Sequence, residues 1–269
     1  MKITGNMFSD KPLDGQHAII TGGSRGIGAS IGEYLARLGA NISLTGRTEQ
    51  TLLKQQETLE KNYDIKVHTA IGDMGSELEI QKCFEDIKRS MGSTQILINN
   101  AGIGKSAPFH RLDSSLWNEV IGLNLTGTFL CTQQVFGDMR EAGYGRIVNI
   151  SSTVGLRGYP YIAAYCASKH GVIGLTRTLA LETIKKGITV NAICPGYTDT
   201  DLVSEAVDAI VDKTGKDRDK IQTEIDNMSP MGRMVDPEEV AEATAWICLP
   251  SSASITGQAI VIAGGAVMN

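Results

Sequence analysis

Tyr165 and Lys169 stand four residues apart in the run AAYCASKHG. Four residues is about one helical turn, so on a helix the phenol and the ammonium share a face. A free phenol gives up its proton near pH ~10. A neighbouring cation favours the phenolate and lowers that value. A fall of about 3 units takes about 4 kcal/mol of preferential interaction. Tyr165 would then exchange a proton near neutral pH, which suits a carbonyl that becomes an alcohol, or the reverse. Two other tyrosines, Tyr159 and Tyr161, lie nearby. The residue four on from Tyr159 is Ala163, and four on from Tyr161 is Tyr165 itself, so of the three only Tyr165 has a lysine one turn later.

A second chemical feature is the run Thr-Gly-Gly-Ser-Arg-Gly-Ile-Gly at 21–28. It follows an apolar run and opens a helical pattern. Glycines at 22, 26 and 28 let a backbone approach a ligand closely, and the free N–H groups at a helix start receive negative charge. The turn is therefore read as a diphosphate cradle formed by Gly22, Ser24, Arg25, Gly26, Ile27 and Gly28. Its G-x-x-x-G-x-G spacing differs from the G-x-G-x-x-G fingerprint. At the end of the next apolar run an acid would hold a ribose 2′-hydroxyl, whereas an arginine accommodates a 2′-phosphate. The sequence there is Thr45-Gly46-Arg47-Thr48. With Arg47 and Arg25 and no acid, the cofactor expected is NADP(H), because a guanidinium offers phosphate a planar fork of donors.

Taken together, these pieces resemble the short-chain dehydrogenase/reductase family over essentially the whole chain. The matching residues are 21–28, Asp73, Asn99-Asn100-Ala101-Gly102, Asn124, Ser152, Tyr165-x-x-x-Lys169 and Pro195-Gly196, in family order. The resemblance implies a catalytic set of Asn124, Ser152, Tyr165 and Lys169. In it Ser152 orients the substrate carbonyl, Lys169 also holds the nicotinamide ribose, and Asn124 holds a water that links Lys169 to solvent. The spacing to Tyr165 selects Ser152 over the adjacent Ser151. The resemblance further implies adenosine contacts from Asp73, Met74, Asn100, Ala101 and Gly102. Nicotinamide contacts are implied for Pro195, Gly196, Thr198 and Thr200, with transfer of the pro-S hydride. One departure stands near the end, where Ala263-Gly264-Gly265 replaces the frequent Asp-Gly-Gly.

Positioning such a set requires alternating strands and helices. Strand-like runs fall at 17–21, 41–45, 66–71, 95–98, 146–150, 189–193 and 259–262. Most are nearly continuous in apolar residues, as in parallel strands covered on both faces. Helical patterns fall between them at 27–38, 49–62, 78–91, 115–141, 163–185 and 237–249. The expected fold is α/β: a single Rossmann-type, doubly wound parallel sheet of about seven strands with helices on both faces. Residues 1–269 are read as one dinucleotide-binding oxidoreductase domain. The stretch 197–233 breaks the alternation and is read as a substrate lid over the carboxyl edge of the sheet.

The 269 residues carry 25 basic and 30 acidic side chains, a net charge of −5 without a basic stripe, which argues against nucleic-acid binding. No apolar run approaches the roughly 20 residues of a membrane span, and residues 1–13 lack an apolar leader core. Five scattered cysteines and four scattered histidines suggest reduced thiols, a cytoplasmic setting and no metal site. The expected substrate is a small carbonyl/alcohol pair. The stretches 145–169 and 187–196 look most like 3-oxoacyl-thioester reductases, including aromatic polyketide ketoreductases. Lys105, Arg111, Lys213, Lys216 and Arg218 stand ready to attract the phosphate of a coenzyme A or carrier protein. The alternatives are a dehydrogenase of a cyclic alcohol and, of another class, a non-catalytic NADP-binding scaffold. A homo-oligomer is expected, a tetramer or dimer, with the helices at 115–141 and 163–185 at an interface.

Overall fold

The computed structural model describes residues 10–268. Seven parallel strands form one sheet: β1 His17–Thr21, β2 Asn41–Gly46, β3 Val67–Ile71, β4 Ile96–Asn99, β5 Gly145–Ile150, β6 Ile188–Pro195 and β7 Ala259–Ile262. Their order is β3-β2-β1-β4-β5-β6-β7. The order reverses between β1 and β4, and at such a switch point the carboxyl ends of neighbouring strands leave a crevice for a ligand. The helices that connect and flank the strands are α1 Gly26–Arg37, α2 Glu49–Asn62, α3 Glu77–Met91, α4 Ser114–Ile121, α5 Thr128–Ala142, α6 Ala163–Thr183, α7 Asp201–Thr214, α8 Arg218–Asp226 and α9 Pro237–Cys248.

The pleat explains why the strands are apolar along their length. Successive side chains point to opposite faces. Ala18, Ile20, Ile42, Leu44, Ile96, Ile98, Val148 and Ile150 point into one core, where they meet Ile31 and Leu35 of α1, Leu52 and Leu59 of α2, and Val240 and Ala245 of α9. Ile19, Leu97 and Ile147 point the other way, onto Ile80, Phe84 and Ile87 of α3 and Cys131, Val135 and Met139 of α5. Burying each of the larger aliphatic and aromatic side chains among these contributes about 1.5–3 kcal/mol, so the sheet that carries the site is anchored from both faces.

One sequence expectation needs correcting. The helix expected over 115–141 is three pieces: α4, a π-helical turn Gly122–Gly127, and α5. Gly127 packs against the carbonyl of Met74, leaving no room for a side chain there. Over the 197–233 stretch lie α7 and α8, with Val207, Ile221 and Ile225 forming a small core of their own. The far end of this stretch is tied down by Arg233, whose guanidinium donates to both Glu239 oxygens at 2.8 and 3.0 Å. No helix among the described residues is long and apolar enough to cross a membrane.

Candidate active site

The glycine turn closes on the switch point. Gly22 and Gly26 have φ of 64° and 52°, a left-handed backbone that favours glycine. A side chain at Gly22 would meet Asn100 Nδ2 and Ala101 Cα, both 3.1 Å away. Asn100 Nδ2 donates to the carbonyls of Thr21 and Gly22 at 3.0 and 2.9 Å. Thr21 Oγ1 accepts from the N–H groups of Asn100 and Ala101 at 3.0 Å each. The ends of β1 and β4 are therefore tied into one cradle. The first turn of α1 contains no acidic residue and no side chain caps it, so its N–H groups and the helix dipole favour an anion. This cradle fits the diphosphate of a dinucleotide.

Beyond it, Arg47 is exposed at the end of β2, and Ser24 Oγ lies 3.6 Å from where a Gly46 side chain would begin. Arg25 has acidic partners across the crevice. Its Nη1 pairs with Asp201 at 3.2 Å and with Glu205 at 3.5 Å, so it joins the glycine turn to the first turns of α7. Asp73 Oδ1 accepts from its own loop, at Gly75 N–H, 2.8 Å. The Met74 side chain is buried in the core, with its sulfur 3.7 Å from Cys131 Sγ. Only the backbone of Met74 is left to face a ligand.

The catalytic candidates converge at the ends of β5 and α6. Ser151 and Ser152 separate cleanly. Ser151 is buried and donates to the Lys169 carbonyl at 3.2 Å. Ser152 caps the short turn Thr153–Gly155, accepting from Val154 N–H at 3.3 Å, and its hydroxyl is near enough to the Tyr165 phenol to act on it. Burial pushes the Tyr165 phenol up from its ordinary value, Ser152 pulls it down, and the nearby Tyr197 raises it further. The Lys169 ammonium lies 5.7 Å from the centre of the Tyr165 ring and donates to the Ile150 carbonyl at 2.7 Å. Burial lowers Lys169 to about 8, with Cys194 acting weakly in the opposite sense. The protein's own groups thus hold the phenol above its ordinary value, whereas the depressed phenol was expected from Lys169 together with a positively charged oxidised nicotinamide. The Lys169 hydrogen bond goes to the end of β5.

Asn124 sits in the π-helical turn and is 1% exposed. Its Oδ1 accepts from Ile103 N–H at 2.9 Å, and its Nδ2 donates to the Ile103 carbonyl at 2.9 Å and to Ser168 Oγ at 3.1 Å. Ser168 Oγ in turn donates to the Tyr165 carbonyl at 2.8 Å. The Asn124 amide therefore fastens the loop after β4 to the turn of α6 that carries Tyr165. Gly102 lies against both Asn124 and Lys169: a side chain there would begin 3.1 Å from Asn124 Oδ1 and 3.6 Å from Lys169 Nζ.

A family model described as short chain dehydrogenase matches residues 16–210. The chain belongs to this family. The 3-oxoacyl-[acyl-carrier-protein] reductase of Aquifex aeolicus is 37% identical over 253 residues, covering 94% of this chain and 98% of that one. The acetoacetyl-CoA reductase of Rhizobium meliloti is 40% identical over 253 residues, covering 92% and 97%. The crystal structure of an actinorhodin polyketide ketoreductase with NADPH superposes with a TM-score of 0.90 at 36% identity, covering 93% of this chain and 97% of that one. The seven-strand parallel sheet is shared with that structure, and the chain is an oxidoreductase of the short-chain dehydrogenase family.

The remaining residues of this short-chain dehydrogenase close the crevice from the β6 side. Gly196 N–H donates to Ile262 at 2.9 Å, and Gly196 packs on Ala263, so an alanine serves where the family often has aspartate. Thr198 is buried, its hydroxyl donating to Gly196 at 3.1 Å. Thr200 Oγ1 donates to Thr198 at 3.3 Å, and its methyl lies 3.2 Å from where a Gly26 side chain would begin. Thr200 therefore faces the glycine turn. Of the cations read as phosphate attractors, Lys105 is held by Glu119 at 2.6 and 2.8 Å and Arg218 by Asp208 at 3.0 Å. Lys216 pairs with Glu224 at 3.4 Å, Arg111 is exposed, and the Lys213 side chain lies outside the described residues.

Proposed function

We propose that this protein is an NADP(H)-dependent ketoreductase that reduces a 3-oxoacyl thioester or related ketone to the secondary alcohol. The observation that carries this reading is the gathering of Ser152, Tyr165 and Lys169 at the carboxyl edge of a sheet with a diphosphate cradle. The cofactor supplies hydride when bound. Gly22, Gly26, Gly28 and the α1 N-terminus would hold its diphosphate, with Ser24, Arg25 and Ile27 beside them. Arg47 would face the 2′-phosphate, and Asp73, Met74 and the Asn100–Gly102 backbone the adenosine. Pro195, Gly196, Thr198 and Thr200 would face the nicotinamide. NADP rather than NAD is favoured by Arg47 at the end of β2, where no acid stands, and by the NADPH in the actinorhodin relative's structure.

Each side chain then has a separate task. Ser152 donates to the substrate carbonyl and orients it beside the phenol, where a preorganised donor stabilises the developing oxyanion. Tyr165, held protonated by burial, delivers the proton to that oxygen. Lys169 supplies positive charge below the phenol and favours the tyrosinate left after transfer. Asn124 keeps the loop after β4 in register with Tyr165. The 3-oxoacyl class is favoured by the names of the Aquifex and Rhizobium relatives. A cyclic alcohol is the second reading, favoured by the nearby Tyr197, whose phenol acts on Tyr165. The five free cysteines suit a reducing, cytoplasmic setting. The test is ketone-dependent NADPH oxidation by the wild-type protein and by Tyr165→Phe. Turnover that falls by two orders of magnitude or more, with NADPH still bound, supports the reading, and near-normal turnover refutes it.

A further inference from the structure

Two consecutive residues at the end of β5 grip the same residue of α6. The Ile150 carbonyl accepts from the Lys169 ammonium at 2.7 Å. The Ser151 hydroxyl donates to the Lys169 backbone carbonyl at 3.2 Å. A carbonyl inside a helix already accepts from the N–H four residues on. The Ser151 bond is therefore not needed to complete the helix; it ties the helix to the sheet. Ser151 is itself held from the other side, because its backbone N–H donates to the Ile193 carbonyl of β6 at 2.7 Å. One small residue thus joins β5, β6 and α6 at the level of the lysine.

The bond is enclosed. Ser151 and Lys169 are both buried, and so is the turn Thr153–Gly155 that covers them. A side chain at Gly155 would begin 2.7 Å from Ser151 Oγ, 2.8 Å from the Lys169 carbonyl oxygen and 2.9 Å from Ile173 Cδ1, so the turn lies directly on the bond. A buried hydroxyl is costly unless it is bonded, and an alanine would fill this place without that demand. In such surroundings a hydrogen bond is also stronger than in water. Lys169 is consequently held at both ends, its carbonyl by Ser151 and its ammonium by Ile150. The four-carbon stem is closed into a ring through two adjacent residues of the strand. A free lysine stem has wide rotamer freedom, which is lost when the ammonium is held 5.7 Å from the centre of the Tyr165 ring. Fixing both ends removes that freedom before a substrate arrives, which is the preorganisation that an electrostatic role requires.

We propose that Ser151 is a positioning residue for proton transfer: by holding the Lys169 backbone carbonyl it sets where the Lys169 ammonium stands beside the Tyr165 ring. The proposal rests on the ketoreductase reading and adds a residue to it. The experiment follows ketone-dependent NADPH oxidation, with acetoacetyl-CoA and with cyclohexanone, by the wild type and by Ser151→Ala. It measures kcat, KM, the NADPH dissociation constant and the solvent deuterium isotope effect on kcat, with circular dichroism as the check on folding. Ser151→Ala should lower kcat about fivefold or more, while KM and the NADPH dissociation constant stay within about threefold of wild type. Its solvent isotope effect should exceed that of the wild type, because the proton step becomes slow relative to the others. A merely structural loss would lower the amount of working enzyme and leave the isotope effect unchanged. A smaller fall in kcat, a fall carried by KM or by cofactor binding, an unchanged isotope effect, or loss of the fold therefore overturns the proposal and leaves the ketoreductase reading standing. Turnover of neither ketone by the wild type overturns both.

Discussion

The Lys169 ammonium donates its 2.7 Å hydrogen bond to the Ile150 carbonyl and not to the Tyr165 phenol, whose ring centre is 5.7 Å away. Lysine therefore faces the tyrosine ring and is hydrogen-bonded away from its hydroxyl. Burial lowers Lys169 to about 8, so its charge is lost just above neutral pH, while burial keeps Tyr165 protonated there. The proposed ketone reduction would need the phenol protonated and the lysine charged. Its kcat/KM should be level near pH 7 and fall with unit slope above about 8, reaching about a tenfold loss one unit higher. In Lys169→Arg, whose cation persists, the falling limb should move upward by a unit or more even if the plateau is lower. A wild-type profile that stays flat through pH 9 refutes the role given to Lys169.

Arg47 was expected to meet a 2′-phosphate, with Arg25 able to reach the same group, and the two differ in their partners. Arg25 is paired with Asp201 and Glu205, whereas Arg47 is exposed at the end of β2. A charge-assisted hydrogen bond is worth about 1.5–3 kcal/mol. Arg47→Ala should accordingly weaken NADPH by about tenfold or more while leaving NADH within about threefold. Arg25→Ala should cost NADPH less, because its guanidinium is already engaged. The double variant Asp201→Asn, Glu205→Gln should free Arg25 and tighten NADPH. Fluorescence titration of both cofactors checks this, and a loss from Arg25→Ala as large as that from Arg47→Ala contradicts it.

Much of the framework was legible because parallel strands buried on both faces must be apolar along their length. The run 259–262 coincides with β7, and 49–62 with α2. The π-helical turn was hidden, because apolar residues continue through 122–127 at near-helical spacing. Its signal is the pair Gly122 and Gly127 around Asn124. The reason Gly127 must be glycine is the Met74 carbonyl, a tertiary contact that no local pattern carries. Such π turns recur at functional sites. Here the turn aims Asn124 at Ile103 and Ser168. The Arg25–Asp201 pair spans 176 residues and was equally invisible. Spacing placed Lys169 beside Tyr165 but could not show that the end of β5 offers Lys169 a better acceptor.

Exposed apolar side chains point to self-association. Phe129 on α5 is 42% exposed and Leu181 on α6 is 82% exposed. These lie on the two helices expected at an interface. A homo-oligomer joined through α5 and α6 should appear as a dimer or tetramer by light scattering at micromolar concentration. Phe129→Glu with Leu181→Glu should shift the mass toward monomer while the far-ultraviolet circular dichroism is kept. A wild-type monomer, or an assembly indifferent to both changes, refutes this interface.

His17 supplies an acid limit to stability, at the end of the sheet away from the site. It is 4% exposed at the start of β1, with Nε2 2.8 Å from Ser43 Oγ and Nδ1 3.4 Å from the Ser93 carbonyl. Burial lowers it to about 4, against the Ser93 hydrogen bond and with help from His68. Between about pH 6.5 and 4 the unfolded chain binds this proton and the folded chain does not, so stability rises with pH across that window. The contribution is complete above about 6.5 and lost as pH falls to about 4, a swing of about 3 kcal/mol. Urea denaturation should therefore show a midpoint that drops steeply between pH 6.5 and 4.5. In His17→Gln, which cannot take up a proton, that slope should be shallower even if the protein is less stable at pH 7. Equal slopes for the two proteins would mean that another group sets the acid limit.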